Sequence, residues 1–269
     1  MNIPTLTELA VLFGVLFIFF RALEFTMPRA RRTPLIRRGL ATDLAYWLFN
    51  PIVAEFFISA ALLLVLGVLA FMLYGRIEKA EILAGFGPLS RLPLFVQAIL
   101  MLIIGDFIGY WMHRLFHGRR FWRFHAVHHS SETLDWLSSA RSHPVNEMAS
   151  RTVLMIGLLL LGFQASAVAA VTPVIGLFAV LLHANLDWDW GPFRTVIASP
   201  RFHRWHHTSE ADGRDRNFAG LFPLWDIIFG TYFMPKGRIP DRFGTDTPVP
   251  EGLLAQMAFP FRRDRGGEP

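Results

Sequence analysis

The chain of 269 residues carries ten histidines, and all of them fall between His113 and His207. Eight stand in three tight groups: HRLFH (His113, His117), HAVHH (His125, His128, His129) and HRWHH (His203, His206, His207). His143 and His183 stand alone. On a helix, positions i, i+3 and i+4 share a face, with Cβ atoms about 5–6 Å apart. HxxxH therefore points two imidazoles the same way, and HxxHH aligns its first histidine with both of its last two. Imidazole is a ligand for iron, zinc, copper and nickel. A lone buried histidine is more often a hydrogen-bonded core group than a ligand. Clustered imidazoles without a metal, however, would be desolvated together with nothing to compensate them. The clusters are too rich in nitrogen for one ion and match a pair of ions.

The two longer groups repeat as R-F-H-x-x-H-H-[ST], at Arg123–Ser130 and Arg201–Thr208. Their flanks differ: SETLDWLSSARSHP follows the first, SEADGRDRNFAG the second, and only the first has a span and an HxxxH before it. The expectation is two halves of one site and not a duplicated domain. The chain has no cysteine, which excludes disulfides, iron–sulfur clusters and thiolate metal sites. It also has no Glu-x-x-His, so the carboxylate-rich two-metal pattern of helical bundles is missing. Asp187, four residues after His183, is the candidate for a bridging carboxylate.

The elements that position these residues are read from hydrophobicity. The chain is 53% hydrophobic and 17% charged, with the apolar residues in long runs. That composition describes an all-α, polytopic membrane protein, and the net charge of +5 fits basic loops on anionic lipid better than nucleic-acid binding. A span needs about 20 mostly apolar residues. Four segments qualify: Leu6 to Phe25, Leu44 to Tyr74, Leu92 to Met112, and Val153 to Leu182. The second is too long for one straight span, so Asn50-Pro51 predicts a kink or a short interfacial helix there. The fourth is interrupted by Gln164 and Ser166 and reads as a re-entrant hairpin of two half-depth helices, with two short crossings as the alternative that gives the same sidedness. Arg29, Arg31, Arg32, Arg37 and Arg38 fill the first loop and place it in the cytoplasm; Gly75 to Arg91 then lies outside, and everything after His113 returns inside. Val153–Leu182 must come back to the side it left, since a single crossing would separate the two HxxHH arms.

Around the histidines, Asp106 is a carboxylate within the third span and marks a functional position by default. Asp106, Tyr110, His113 and His117 share a helix face, which predicts that Asp106 or Tyr110 takes a hydrogen bond from a ligand imidazole. Glu147, Asn185, Asn217 and Asp226 are further candidates for groups around the site, and Arg119, Arg120 and Arg123 for contacts with headgroups or an acidic electron donor. Trp205 and Trp225 read as packing residues.

With these motifs in place, the chain resembles the membrane-bound fatty acid hydroxylase / sterol desaturase superfamily. The pattern is HxxxH, HxxHH, a further histidine in HANLDW, and HxxHH; DFIGYWMHRLFH, ARSHPVNE and NFAGLFPLWDIIFGTY also look like segments of bacterial sterol-desaturase-like members. The resemblance covers Leu92 to Pro235. It implies a catalytic domain over 92–235, preceded by membrane helices and a basic loop (1–91) and followed by a tail (236–269). It also implies two iron ions at the cytoplasmic face, held by His113, His117, His125, His128, His129, His183, His203, His206 and His207. His143, in R-x-H-P, is equally a ligand or an outer group. Zinc is the substitute ion to expect in an isolated preparation.

The activity so implied is O2-dependent hydroxylation or desaturation of a lipid in a bacterial inner membrane. An unactivated C–H bond needs a redox-active metal, and zinc has no redox chemistry. No G-x-G-x-x-G after a strand and no Walker loop is present, so electrons must come from a separate donor, such as a ferredoxin or a cytochrome b5-like protein with its reductase. The rival readings are a metal transporter and a zinc-dependent membrane hydrolase. A transporter places its site near the midplane on broken spans, whereas these clusters lie beyond span ends. A hydrolase needs an open metal position and a carboxylate base.

Overall fold

The computed structural model describes residues 4–28, 33–75, 79–85 and 87–262. Ten α-helices run through them: α1 (Leu6–Thr26), α2 (Leu40–Tyr74), α3 (Lys79–Ala84), α4 (Leu94–His117), α5 (Trp122–His129), α6 (Pro144–Leu160), α7 (Ala165–His183), α8 (Pro200–His206), α9 (Leu224–Ile228) and α10 (Leu253–Ala258). Among the described residues there is no strand, only an isolated antiparallel bridge between Thr208 and Phe243. Helices α1, α4 and α7, with α2 over Leu40–Val65, are long and apolar enough to cross a membrane.

Local chemistry starts and stops these helices. Thr5 and Glu8 form a reciprocal capping box on α1. His143 caps α6, its Nδ1 accepting from Val145 N at 3.2 Å, and Pro144 occupies the first position, where no intrahelical donor is needed. Ser199 and Pro200 repeat that arrangement on α8. Gly39 opens α2 with a φ of 79°, and a Cβ there would lie 2.5 Å from Arg141 Nη2.

Two expectations about the helices change. α2 is one helix of 35 residues that runs through Pro51 without a break. The residue before the proline is held from outside, since Asn50 Nδ2 donates to Ala140 O at 3.0 Å and to Ser142 O at 2.9 Å. The hairpin is made of α6 and α7, with 17 and 19 residues, and these are not half-depth helices. At about 1.5 Å per residue each approaches 30 Å. Gln164, read as an interruption, instead lies in the connecting turn. Its Nε2 donates to Ser90 O at 2.7 Å and its N–H to Gln97 Oε1 at 3.1 Å, so the turn's polar groups are satisfied. The chain still returns to its starting side.

α6 and α7 both pack on α4, and α6 also packs on α2. Met101, Leu158, Phe163, Val168 and Val171 form the core between them, with Ile58 from α2. α1 closes the other side around Trp136, whose ring stacks on Phe20 at 5.6 Å and meets Phe13 and Trp47.

A buried ion-pair network ties this bundle to the segment after α5. Arg37 Nη2 lies 2.7 Å from Asp43 Oδ2 and 2.6 Å from Asp135 Oδ1; Arg141 Nε donates to Asp43 Oδ1 at 2.6 Å. Arg37 therefore serves the interior and not a membrane surface, and Arg38 is paired with Glu132 and Glu251. Arg29, Arg31 and Arg32 lie outside the described residues. Asp43 is fully buried between two guanidinium groups, and removing one partner of such a network leaves an uncompensated buried charge. Asp43→Ala is expected to cost about 3–5 kcal/mol, read as a lowered unfolding temperature in detergent; an unchanged temperature would show that the network contributes nothing net.

Candidate metal centre

Four helix ends converge. α4 brings His117 in its last turn and His113 one turn earlier, α5 brings His125, His128 and His129, α7 ends on His183, and α8 carries His203 and His206 with His207 at its C-cap. The nitrogens form two groups, in each of which all ligand atoms lie within 4.8 Å of one another. His113, His117, His125, His129 and His206 make the first; His128, His183, His203 and His207 make the second. The groups adjoin, with the rings of His129 and His207 stacked at 4.5 Å and those of His206 and His203 stacked at 5.4 Å.

The HxxHH spacing now has a geometric meaning. In each arm the i and i+4 histidines enter one group, and the i+3 histidine crosses to the other. His125 and His129 join the first group while His128 joins the second; His203 and His207 join the second while His206 joins the first. Successive helical residues diverge by about 100° around the axis, so the adjacent pair at the end of each motif cannot point into the same group. Each arm thus braces both groups.

Which nitrogen carries the proton is settled by the outer partners. His113 Nδ1 donates to Phe218 O at 2.7 Å, His128 Nδ1 to Arg141 O at 2.8 Å, His183 Nδ1 to Ala179 O at 2.8 Å and His206 Nδ1 to Arg216 O at 2.9 Å. A carbonyl only accepts, so these four rings hold their proton on Nδ1 and leave Nε2 as a bare lone pair. His117 Nδ1 pairs with Asp215 Oδ1 at 2.9 Å and His125 Nδ1 with Asn146 Oδ1 at 3.1 Å. Yet His128 Nε2 and His183 Nε2 face each other at 3.2 Å, and neither can donate. Burial and neighbouring positive charge oppose protonating a second nitrogen: His128 is held down from 6.5 to about 4, chiefly by desolvation. His125, His129, His203, His206 and His207 are pushed well below that ordinary value by burial first and by one another second. His117 Nε2 and His206 Nε2 are buried without a hydrogen-bond partner. Converging neutral imidazoles with bare, unpartnered nitrogens fit a divalent cation in each group.

The remaining candidates fall elsewhere. His143 lies in neither group: its Nδ1 caps α6 and its Nε2 faces Met257 O at 3.2 Å. Asp187 accepts from Arg201 Nε at 2.7 Å, so its charge is used in an ion pair away from the histidines. Asp106 and Tyr110 share the face of His113 but bond to no imidazole. Tyr110 OH pairs with Thr231 Oγ1 at 3.0 Å and accepts from Arg114 at 3.0 Å. Asp106 accepts the N–H groups of Gly220, Leu221 and Phe222 at 3.0, 2.8 and 2.7 Å, while Asp226 accepts those of Phe218 and Ala219 at 2.7 and 2.8 Å. The segment so gripped presents the Phe218 carbonyl to His113, so Asp106 acts one step further out than its helical spacing suggests. Asn217, at a left-handed φ of 56°, anchors the same segment to Phe202 O and Phe233 O. Glu147 lies beside Arg151 at 3.8 Å, and Asn185 bonds Glu24 and Thr33. Arg123 donates to Phe259 O and stacks on that ring, which fastens the C-terminal segment onto α5. Asp215 and Asn146, absent from the sequence reading, lie in loop and helix-start positions that carry no periodic signal. A cavity of about 370 Å³, lined by His117, Trp122, His129, His206, Arg214 and Asp215 among others, reaches the first group and none of the second.

Fold and site together define a polytopic helical membrane protein with a histidine-rich metal site. The fatty acid hydroxylase profile matches residues 98–231, a stretch that contains all ten histidines. The chain is 35% identical over 175 residues to ornithine lipid hydroxylase OlsE of Rhizobium tropici, covering 64% of this chain and 52% of that protein. It is 35% identical over 131 residues to alkylglycerol monooxygenase of Danio rerio, covering 48% and 29% of the two chains. With methylsterol monooxygenase 1-1 of Arabidopsis thaliana it shares 25% over 185 residues, 63% and 57% of the two. It therefore spans about half the length of the ornithine lipid hydroxylase and under a third of the alkylglycerol monooxygenase. No solved structure matches. The chain belongs to the fatty acid hydroxylase family.

The depressed histidines set a sign for pH dependence. Between the ordinary value of 6.5 and about 4 for His128, the unfolded chain binds protons that the folded one refuses. Metal-free protein should therefore lose stability as pH falls through that window. A flat unfolding temperature across it would contradict the neutral, inward-facing assignment.

Proposed function

We propose that this chain is an integral-membrane oxidoreductase that holds two iron ions and uses O2 with externally supplied electrons to hydroxylate or desaturate a membrane lipid. The observation that carries this reading is the pair of adjoining imidazole groups, four of whose rings hold their proton outward on a backbone carbonyl. His113, His117, His125, His129 and His206 hold one ion, and His128, His183, His203 and His207 hold the other. A redox-active metal pair supplies, when bound, the electrons and Lewis acidity that activate O2 toward an unactivated C–H bond.

The protein's own residues do the rest. The carbonyls of Phe218, Arg141, Ala179 and Arg216 keep each Nδ1 proton in place and raise the donor strength of Nε2. Asp215 shares the Nδ1 proton of His117 at the cavity wall, and that hydrogen bond holds its carboxyl below the ordinary range. Residues 92–235 form the catalytic domain, 1–91 supply membrane helices, and 236–269 follow as the tail; the site faces the cytoplasm of a bacterial inner membrane. The named relatives act on ornithine lipid, alkylglycerol and methylsterol, which supports a membrane lipid as substrate class. A ferredoxin or cytochrome b5-like protein with its reductase supplies the electrons. A transport site is disfavoured because the histidines gather at the C-terminal ends of α4 and α7, not at their middles.

Metal analysis of the purified protein should find about two irons per chain, in line with nine imidazoles for two ions. Lipid profiles of a deletion strain complemented with wild type or with His206→Ala should differ by one oxygen or one double bond in a single lipid class, both in the deletion and in the variant. One zinc per chain with no change in any lipid would overturn the reading.

A further inference from the structure

Helix α9 carries apolar side chains on its outer face: Leu224, Ile227 and Ile228 are 47%, 46% and 57% exposed. The neighbouring segment adds exposed Phe193, Val196 and Ile197, and the two are joined by Ala198 N donating to Leu221 O at 2.8 Å. Such a contiguous apolar surface is unusual for a domain in water. Its place along α4 tells what covers it.

α4 presents a stripe of exposed apolar residues at i, i+4 spacing: Phe95, Ile99, Ile103, Phe107, Trp111 and Leu115. On a membrane-spanning helix that stripe faces lipid. α9 packs on its upper part, with Phe107 4.9 Å from Trp225 and Trp111 4.9 Å from Phe229 between ring centroids. Counted from Leu94, a hydrocarbon core of about 30 Å takes up roughly 20 residues, reaching His113. Asp106, Phe107 and Trp111 all lie within that stretch. Asp106 grips the backbone of residues 220–222 directly, so the start of the α9 segment is held at the depth of Asp106.

The backbone there meets the demand that the depth imposes. Irregular chain inside the hydrocarbon region is tolerated only if its N–H and C=O groups find partners within the protein. Residues 218–222 expose five consecutive N–H groups to no helix or sheet, and the carboxylates of Asp226 and Asp106 accept all five. In water that arrangement is dispensable; in lipid it is what allows the segment to be there.

We propose that α9 and residues 193–197 form a wedge immersed in the bilayer beside α4, with lipid chains as the partner of its apolar face. The histidine-bearing cap is then sunk into the membrane on this side, and Phe218, which orients His113, is positioned from within it.

The chain has no cysteine, so single-site labelling needs no background removal. Leu224→Cys, Ile228→Cys and Val196→Cys, each carrying a nitroxide, are reconstituted in phosphatidylcholine/phosphatidylglycerol vesicles. Ile103→Cys on the α4 stripe is the lipid reference, and Asp246→Cys, at a position whose side chain is 72% exposed, is the water reference. Relaxation by O2, which partitions into lipid, is compared with relaxation by a water-soluble nickel chelate. The three test positions should match Ile103→Cys, with O2 access exceeding nickel access. Access like that of Asp246→Cys, or low access to both reagents, would overturn the proposal. Asp106→Asn gives a second measurement: amide exchange at 218–222 should accelerate in the vesicle-bound protein, and unchanged exchange would count against the membrane-depth clamp.

Discussion

The constraint on which the rest depends is the direction of the imidazole protons. Each site histidine with a backbone carbonyl behind it must donate outward, which turns a bare nitrogen inward. Nitrogens such as His128 Nε2 and His183 Nε2 then meet at 3.2 Å with nothing to share between them. That geometry is repulsive for neutral rings alone and favourable around a cation. The fold is consequently a device for holding carbonyls behind histidines, and much of its buried polar structure serves that end.

Two anchoring systems illustrate this, one on each side. The Arg37–Asp43–Arg141 network and Asn50 fix the segment 140–142 against α2, and the Arg141 carbonyl orients His128. Asp106 and Asp226 fix residues 218–222, and the Phe218 carbonyl orients His113. Both systems place charged groups in the interior at a desolvation cost, offset only because every charge meets several partners. A stability argument by itself does not explain why such groups are kept; the precision required at the imidazoles does.

The asymmetry between the groups follows from the same architecture. The first has the cavity beside it and includes His117, whose outer partner is the exposed carboxylate of Asp215 and not a buried carbonyl. The second is enclosed by α7, α8 and the 310 turn Trp136–Ala140.

The histidine spacing was decisive at the level of sequence, because helical periodicity is a local property: HxxxH and HxxHH align imidazoles whatever the rest of the chain does. The apolar runs likewise declared the spans, and the mismatched flanks of the two HxxHH arms declared one site. Other features were decided only by tertiary contact. Asp106 sits on the face of His113, yet its oxygens go to N–H groups more than a hundred positions away in the chain. Asn50-Pro51 reads as a break, yet the helix continues where Ala140 and Ser142 hold it. His143 resembles a ligand by type, yet it caps a helix. Periodicity tells which side chains can point together; which partner each one finds depends on loops, and loop contacts leave no period in the sequence.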